Sequence, residues 1–190
     1  MEAIQAHRWT REEYERMAEA GVFEPGKRVE LLDGEILELT PQGSYHVTAV
    51  SLVQLVLQRS LGDSYVVRTQ FPLALDPLSE PEPDVAVVAG TPRDFVLAHP
   101  ASALLVVEVA DTTLAHDRER KGTLYARAGI LDYWIVNLID RCLEVYREPQ
   151  PSSDAPYGWQ YRSVERHVTG HSVSPLALPD VRILVADLLP

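Results

Sequence analysis

Leu104-Leu105-Val106-Val107-Glu108-Val109-Ala110 is a run of apolar residues broken by a single charge. So continuous a run, without polar alternation, is the pattern of a strand covered on both faces, which calls for helices on either side of a sheet. A glutamate near the end of such a strand is costly as a carboxylate unless a cation or several donors satisfy it. A structural ion pair with Arg or Lys would do so, and a bound metal ion is the simplest alternative. Upstream, Pro83-Asp84 precedes Glu108 by 24 residues and opens the apolar stretch Val85-Ala86-Val87-Val88. That puts the Asp84 carboxylate at a strand end, where α/β folds build their sites. A lone Pro-Asp also serves simply to finish a turn. Downstream, Lys121 follows Glu108 by 13 residues. Leu114, Lys121 and Ala128 are seven apart, with Leu124 and Tyr125 three and four residues beyond the lysine, so Lys121 falls on the apolar stripe of its helix and is expected to point inward. The competing reading is a buried stem with its ammonium in water.

The rest of the chain supplies the frame. Thr10-Arg11-Glu12-Glu13 has the capping-box pattern of a helix that runs to Gly21 and, being poor in apolar residues, covers an edge. Asp33-Gly34, between residues 28–32 and 35–39, is the strongest short hairpin signal. A second helix is expected over residues 45–61, opened by Ser44, with His46, Val50, Val53 and Leu57 on one stripe. Strands follow at 65–75, 84–89 and 104–110, the first two separated by a proline-rich turn at 76–83. A third helix is expected at about 115–128, ending at Gly129, then strands at 132–138 and 142–147. Residues 149–158, rich in proline and serine, predict an exposed loop, followed by a strand at 159–168 and an apolar C-terminal element at 181–189. Antiparallel and parallel connections mix in this order. The expectation is one α/β domain over residues 1–190, a mixed β-sheet flanked by helices with an N-terminal β-hairpin.

A chain of 190 residues, 46% hydrophobic, can bury a full core without disulfides or a structural metal. Its one cysteine, Cys142, excludes an internal disulfide, and residues 1–5 lack the basic start and apolar stretch of a signal peptide, so a cytoplasmic location is expected. No apolar run approaches the ~18 residues of a membrane span. The net charge of −11 argues against broad attraction to nucleic acid, which draws on Lys and Arg to release counterions, so any such contact must be local. Fifteen of the 17 basic residues are Arg, and Lys121 stands in Arg118-Glu119-Arg120-Lys121, where a compact ammonium is not equivalent to a guanidinium.

Two carboxylates and an inward ammonium suit phosphodiester hydrolysis. Mg²⁺ takes a few carboxylate oxygens plus water and substrate phosphate. A nearby ammonium can orient the attacking water or stabilise developing charge. His46 on an inward stripe is more often a satisfied core residue than a ligand. Glu30 lies in the strand before Asp33-Gly34, its face undetermined. His116, Asp117, His167 and His171 have no spacing that compels a zinc site, and no CxxC, HExxH, Walker loop, GxGxxG or GxSxG occurs.

These residues resemble the PD-(D/E)XK nuclease superfamily, and more closely its Uma-type restriction endonuclease family. The resemblance covers most of the chain. It rests on Glu30-Leu31-Leu32-Asp33-Gly34-Glu35, His46, Pro83-Asp84, Val107-Glu108-Val109, Lys121 with Tyr125-Ala126-Arg127-Ala128-Gly129, and Asp132-Tyr133-Trp134-Ile135-Val136, in the family's order. It implies a restriction-endonuclease-like core with a four-stranded mixed sheet. It also implies Asp84 and Glu108 as Mg²⁺ or Mn²⁺ ligands with the Val109 carbonyl as a third, Glu30 reaching the metal directly or through water, and His46 lining the cleft. The chain departs from the superfamily at Ala110, where the Glu-x-Lys motif has its lysine; in the Uma-type family the lysine comes from the following helix, which matches Lys121. Asp111-Thr112-Thr113 replaces the family's Ser-Pro-Ser-Thr-like turn.

The expected function is a metal-dependent DNA endonuclease, with Arg68, Arg93, Arg118, Arg120 and Arg127 as a local basic rim and a homodimer built on the apolar segment 183–189. A nuclease-fold scaffold that binds a protein or nucleic acid without cutting is the alternative, favoured by the charge. A two-carboxylate glycosidase would need no inward lysine.

Overall fold

The computed structural model describes residues 5–190. The first helix, α1 (Arg11–Glu19), starts from a complete capping box: Glu13 N–H donates to the Thr10 hydroxyl and the Glu13 carboxylate accepts from Thr10 N–H. Its one buried residue, Tyr14, donates its hydroxyl to the Val29 carbonyl and so pins the helix to the hairpin edge. That hairpin pairs β1 (Val29–Leu32) with β2 (Glu35–Glu38), Leu32 opposite Glu35. Asp33 and Gly34 both take positive φ, 52° and 84°, as a two-residue primed turn requires. At Gly34 a Cβ would sit 2.7 Å from Arg8 Cβ, so the chain's approach excludes a side chain there as well.

Six strands form the main sheet: β3 (Tyr65–Thr69), β4 (Val85–Ala89), β5 (Leu105–Ala110), β6 (Asp132–Asn137), β7 (Cys142–Pro151) and β8 (Trp159–Val168), in that spatial order. Only β5 and β6 are parallel. Parallel neighbours need a crossover, and the helical segment between them provides it. β5 and β6 are buried along their whole length, as the continuous apolar run at 104–110 predicts. On one face α2 (Ser44–Ser60) packs Ala49, Val50, Val53 and Leu57 against Val85, Val107, Trp134 and Val145. On the other, Tyr125, Ala126, Tyr133, Tyr146 and Tyr161 form the second core with Val106 and Ile135. A two-stranded pair, β9 (Ser172–Val173) with β10 (Ile183–Leu184), precedes a short 3₁₀ turn at Val185–Leu188.

The α/β class, the mixed sheet and the N-terminal hairpin agree with the sequence reading, with several corrections. The sheet has six strands, not four, because β7 and β8 extend the core as a long hairpin. Pro149–Pro151 belongs to β7, not to a loop, and it pairs at the outer end of that hairpin with β8, the edge strand of the sheet. The strand expected at 65–75 stops at Thr69, because Gln70 turns to φ 55°. Ser44 is the first residue of α2, whose N-cap is Gly43 without a side-chain cap. In the apolar segment offered as a dimer surface, Ile183, Val185, Leu188 and Leu189 are buried in the chain's own core, and Leu184 is exposed.

The crossover helix is interrupted. It comprises α3 (Leu114–His116), a π-helical turn at Asp117–Lys121, and α4 (Gly122–Arg127). Gly122 N–H reaches back five residues to the Asp117 carbonyl. A Cβ on Gly122 would lie 3.3 Å from that carbonyl oxygen and 3.4 Å from the Tyr133 ring, whose hydroxyl donates to the same oxygen at 2.9 Å. A π-turn of this kind is a frequent mark of functional sites.

Candidate active site

β4 and β5 run antiparallel with Val85 opposite Val107, which places Asp84 beside Glu108 just beyond the last pair. The two residues interlock through backbone and side chain. Asp84 N–H donates to Glu108 Oε2 at 3.2 Å, and Val109 N–H donates to Asp84 Oδ2 at 2.8 Å. The other Asp84 oxygen accepts from Gln70 Nε2 at 3.4 Å and faces His46 Nε2 at 3.2 Å. Glu108 Oε1 accepts from Lys121 Nζ at 3.0 Å and from the Tyr125 hydroxyl at 2.8 Å. Lys121 bridges to Glu30 Oε2 at 3.2 Å, an oxygen that also accepts from Glu82 N–H at 3.1 Å.

Lys121 is 5% exposed, so its ammonium does not snorkel to water; it is held between two carboxylates. Glu30, whose face alternation left open, is fully buried and turned toward the site. His46 lines the same cavity, of about 390 Å³, together with Asp84, Glu108 and Lys121. Asp117 joins them: it is 4% exposed, and one of its oxygens accepts from the Thr113 hydroxyl at 2.6 Å. Val109 does not line the cavity, and what it gives the site is its N–H.

Asp117, Gln70 and Tyr125 were not singled out as site residues from sequence. Asp117 stands four residues before Lys121, a spacing that usually marks an exposed ion pair on a helix surface, whereas here both are buried and line one cavity. Gln70 reaches Asp84 because its backbone leaves the strand, which no local pattern announces. Tyr125 was visible as a stripe residue, but its hydroxyl partner was not.

The cavity is acidic beyond what its ammonium can balance. Burial, then the charges of Asp84, Asp117 and Glu30, push Glu108 up to about 8 against the pull of Lys121. Burial likewise raises Asp117. Burial would also raise Asp84, but its hydrogen bond to His46 and the charges of His46 and Lys121 hold it below the usual carboxylate range. Glu30 is opposed by burial and held low chiefly by Lys121. Glu30 Oε1 is buried with no hydrogen-bond partner, His116 Nε2 lying 3.9 Å away. Oxygen donors in excess of positive charge, one of them unpartnered, fit a hard divalent cation.

A tighter grouping of ligand-type atoms lies elsewhere. Asp140, Cys142 and Glu144 approach within 4.8 Å of one another. That group already has its cations: Arg118 forks onto Glu144, while Arg166 contacts Cys142 Sγ at 3.1 Å and Asp140 at 3.5 Å. Three of the five arginines of the expected basic rim are similarly engaged: Arg118 pairs with Glu144, Arg120 with Glu35, and Arg127 with Asp33 and Asp76.

A mixed sheet with acids at adjoining strand ends, closed by a lysine from the crossover helix, defines a restriction-endonuclease-like α/β protein. Residues 11–186 match the Uma2 family model, described as "Putative restriction endonuclease", and the chain belongs to that family. Among solved structures, a crystal structure from Anabaena variabilis described as "a putative nuclease belonging to DUF820" aligns at a TM-score of 0.68 with 14% identity, covering 95% of this chain and 97% of the other. No curated protein sequence matches the chain. No helix among the described residues is long and apolar enough to cross a membrane.

Proposed function

We propose that the protein is a metal-dependent endonuclease that hydrolyses phosphodiester bonds in DNA. The observation that carries this reading is the buried convergence of Glu108 and Glu30 on Lys121, with Asp84 interlocked to Glu108, around an unpartnered carboxylate oxygen. Asp84, Glu108 and Glu30 would hold Mg²⁺ or Mn²⁺, which when bound supplies Lewis-acid polarisation of the phosphoryl oxygen and a more acidic water. The chain's own groups do the positioning. Tyr125 and the Asp84 N–H fix the two Glu108 oxygens, and the Val109 N–H with Gln70 and His46 fixes those of Asp84. Lys121, protonated at any working pH because the surrounding acids raise it, orients a water and offsets charge developing on the phosphate. Asp117, lining the same cavity, is a fourth acid whose charge also favours the ammonium.

The test is cleavage of supercoiled plasmid with Mg²⁺ or Mn²⁺, comparing wild type with Glu108→Gln, and titration of each protein with metal in a calorimeter. Wild type should nick the plasmid, and the variant should lose at least about 100-fold in rate, together with metal binding. The engagement of Arg118, Arg120 and Arg127 in internal ion pairs favours a second reading, a scaffold that binds without cutting. Absence of both metal binding and cleavage in the wild type would decide for that scaffold.

A further inference from the structure

Among the described residues Arg68 has no acid partner, in a chain with 28 acidic residues. It lies on β3, the edge strand, with its guanidinium carbon 5.3 Å from the Phe71 ring centre and 5.5 Å from that of Phe95. Its one polar contact is from an Nη to His99 Nδ1 at 3.3 Å, and its Nε is buried with no hydrogen-bond partner. Burial alone pulls the guanidinium's affinity for its proton down, with no carboxylate opposing it. A guanidinium lying against two aromatic rings has lost part of the flexibility it would otherwise give up on binding an anion. Its Nη groups meet no carboxylate among the described residues, and the ligand that matches a planar guanidinium is a carboxylate or a phosphate.

The position narrows the choice. Just past the end of β3, Gln70 donates its N–H to the carbonyls of Pro83 and Asp84 and its side-chain amide to Asp84 Oδ1. Arg68 pairs with Ala86 of β4, two residues beyond Asp84, so Arg68 flanks the acidic site and does not lie across the molecule from it. Phe71, 56% exposed, flanks it on the solvent side. Of the other arginines of the expected rim, Arg118, Arg120 and Arg127 are tied to carboxylates, while Arg93 has no such pair among the described residues but also none of the aromatic contacts that fix Arg68.

We infer that Arg68 is a docking residue for a backbone phosphate of the DNA strand next to the scissile one, its fork held ready by Phe71 and Phe95. The inference rests on the nuclease reading and names where that site gains its grip on an anionic substrate despite an acidic cavity. It is tested by measuring binding of a labelled duplex oligonucleotide in Ca²⁺ over a series of salt concentrations, for wild type, Arg68→Met, Arg68→Lys and Arg162→Met. Arg162 lies on β8 at the opposite edge of the sheet, exposed and paired with Glu148, and controls for the loss of one positive charge. Arg68→Met should weaken binding about tenfold and flatten the salt slope by about 0.9. Arg68→Lys should keep the slope but bind several-fold more weakly, having lost the fork, and Arg162→Met should match wild type. An unchanged slope in Arg68→Met, or an equal change in Arg162→Met, overturns the inference while leaving the nuclease reading intact. If Arg68→Met does not melt cooperatively, undiminished binding by Arg68→Lys overturns it instead. Wild type that binds no duplex at all overturns the nuclease reading, and the inference with it.

Discussion

Tyr125 is fully buried, and its hydroxyl's partner is Glu108 Oε1, the oxygen that also receives the Lys121 ammonium. Removing that hydroxyl leaves a buried carboxylate oxygen with one donor fewer. Tyr125→Phe should therefore cost about 1–3 kcal/mol in urea unfolding, and cleavage should fall by less than in Glu108→Gln because the carboxylate remains. An unchanged unfolding midpoint would show that the hydroxyl does not restrain Glu108. At this scale the sequence exposed the charges that interrupt apolar patterns: Glu108 in its strand, Lys121 on its stripe and Asp84 at a strand start. Asp117 stayed hidden because its spacing from Lys121 reads as a surface ion pair, and Gln70 because a positive φ at glutamine has no local composition that requires it.

The π-turn shows how one element serves two demands. Tyr125 and Ala126 must face the second core, while Asp117 and Lys121 must face the cavity, and the extra residue in the turn lets both alignments hold. Gly122 closes the turn against Tyr133. In an ordinary exposed helix, Gly→Ala stabilises by about 1 kcal/mol. Here the sign should reverse. Gly122→Ala should lose about 1 kcal/mol, a fall of roughly 3 °C in melting temperature, and should slow cleavage as Lys121 is displaced. A higher melting temperature in a scanning melt would mean that the turn absorbs the methyl group. Element existence was legible from periodicity and turn chemistry, as in the Asp33-Gly34 hairpin and the continuous strand at 104–110. Element lengths were not: proline at 149 and 151 signalled a loop, whereas it lies at the edge of the sheet where pairing with β8 tolerates it.

For the molecule as a whole, the excess of acid makes stability a function of pH. Glu80, bridged to Leu31 and buried, is raised to about 7 by burial and by Glu15, against the pull of Arg11. An acid raised in the folded state contributes stability that is fully present below its unfolded pKa near 4.5 and is lost as pH climbs through about 7. Glu108 acts in the same direction up to about 8, whereas Asp84 and Glu30, held low, contribute above their unfolded values and fail in acid. Metal-free wild type should thus melt at progressively lower temperature from pH 5 to 8. Glu80→Gln, which stays neutral, should show a shallower decline over the same interval; an identical slope would remove Glu80 from the account. The α/β class was readable from element order, but six strands were not, since nothing in 159–168 says that it pairs beyond β7 rather than elsewhere. A last consequence follows from Cys142, buried where β7 begins and capped by the Arg166 guanidinium. It is the chain's sole thiol, so a thiol-reactive dye can mark the protein only while that end of the sheet is open. The cysteine is in effect a built-in stopwatch for breathing at the strand pair remote from Arg68.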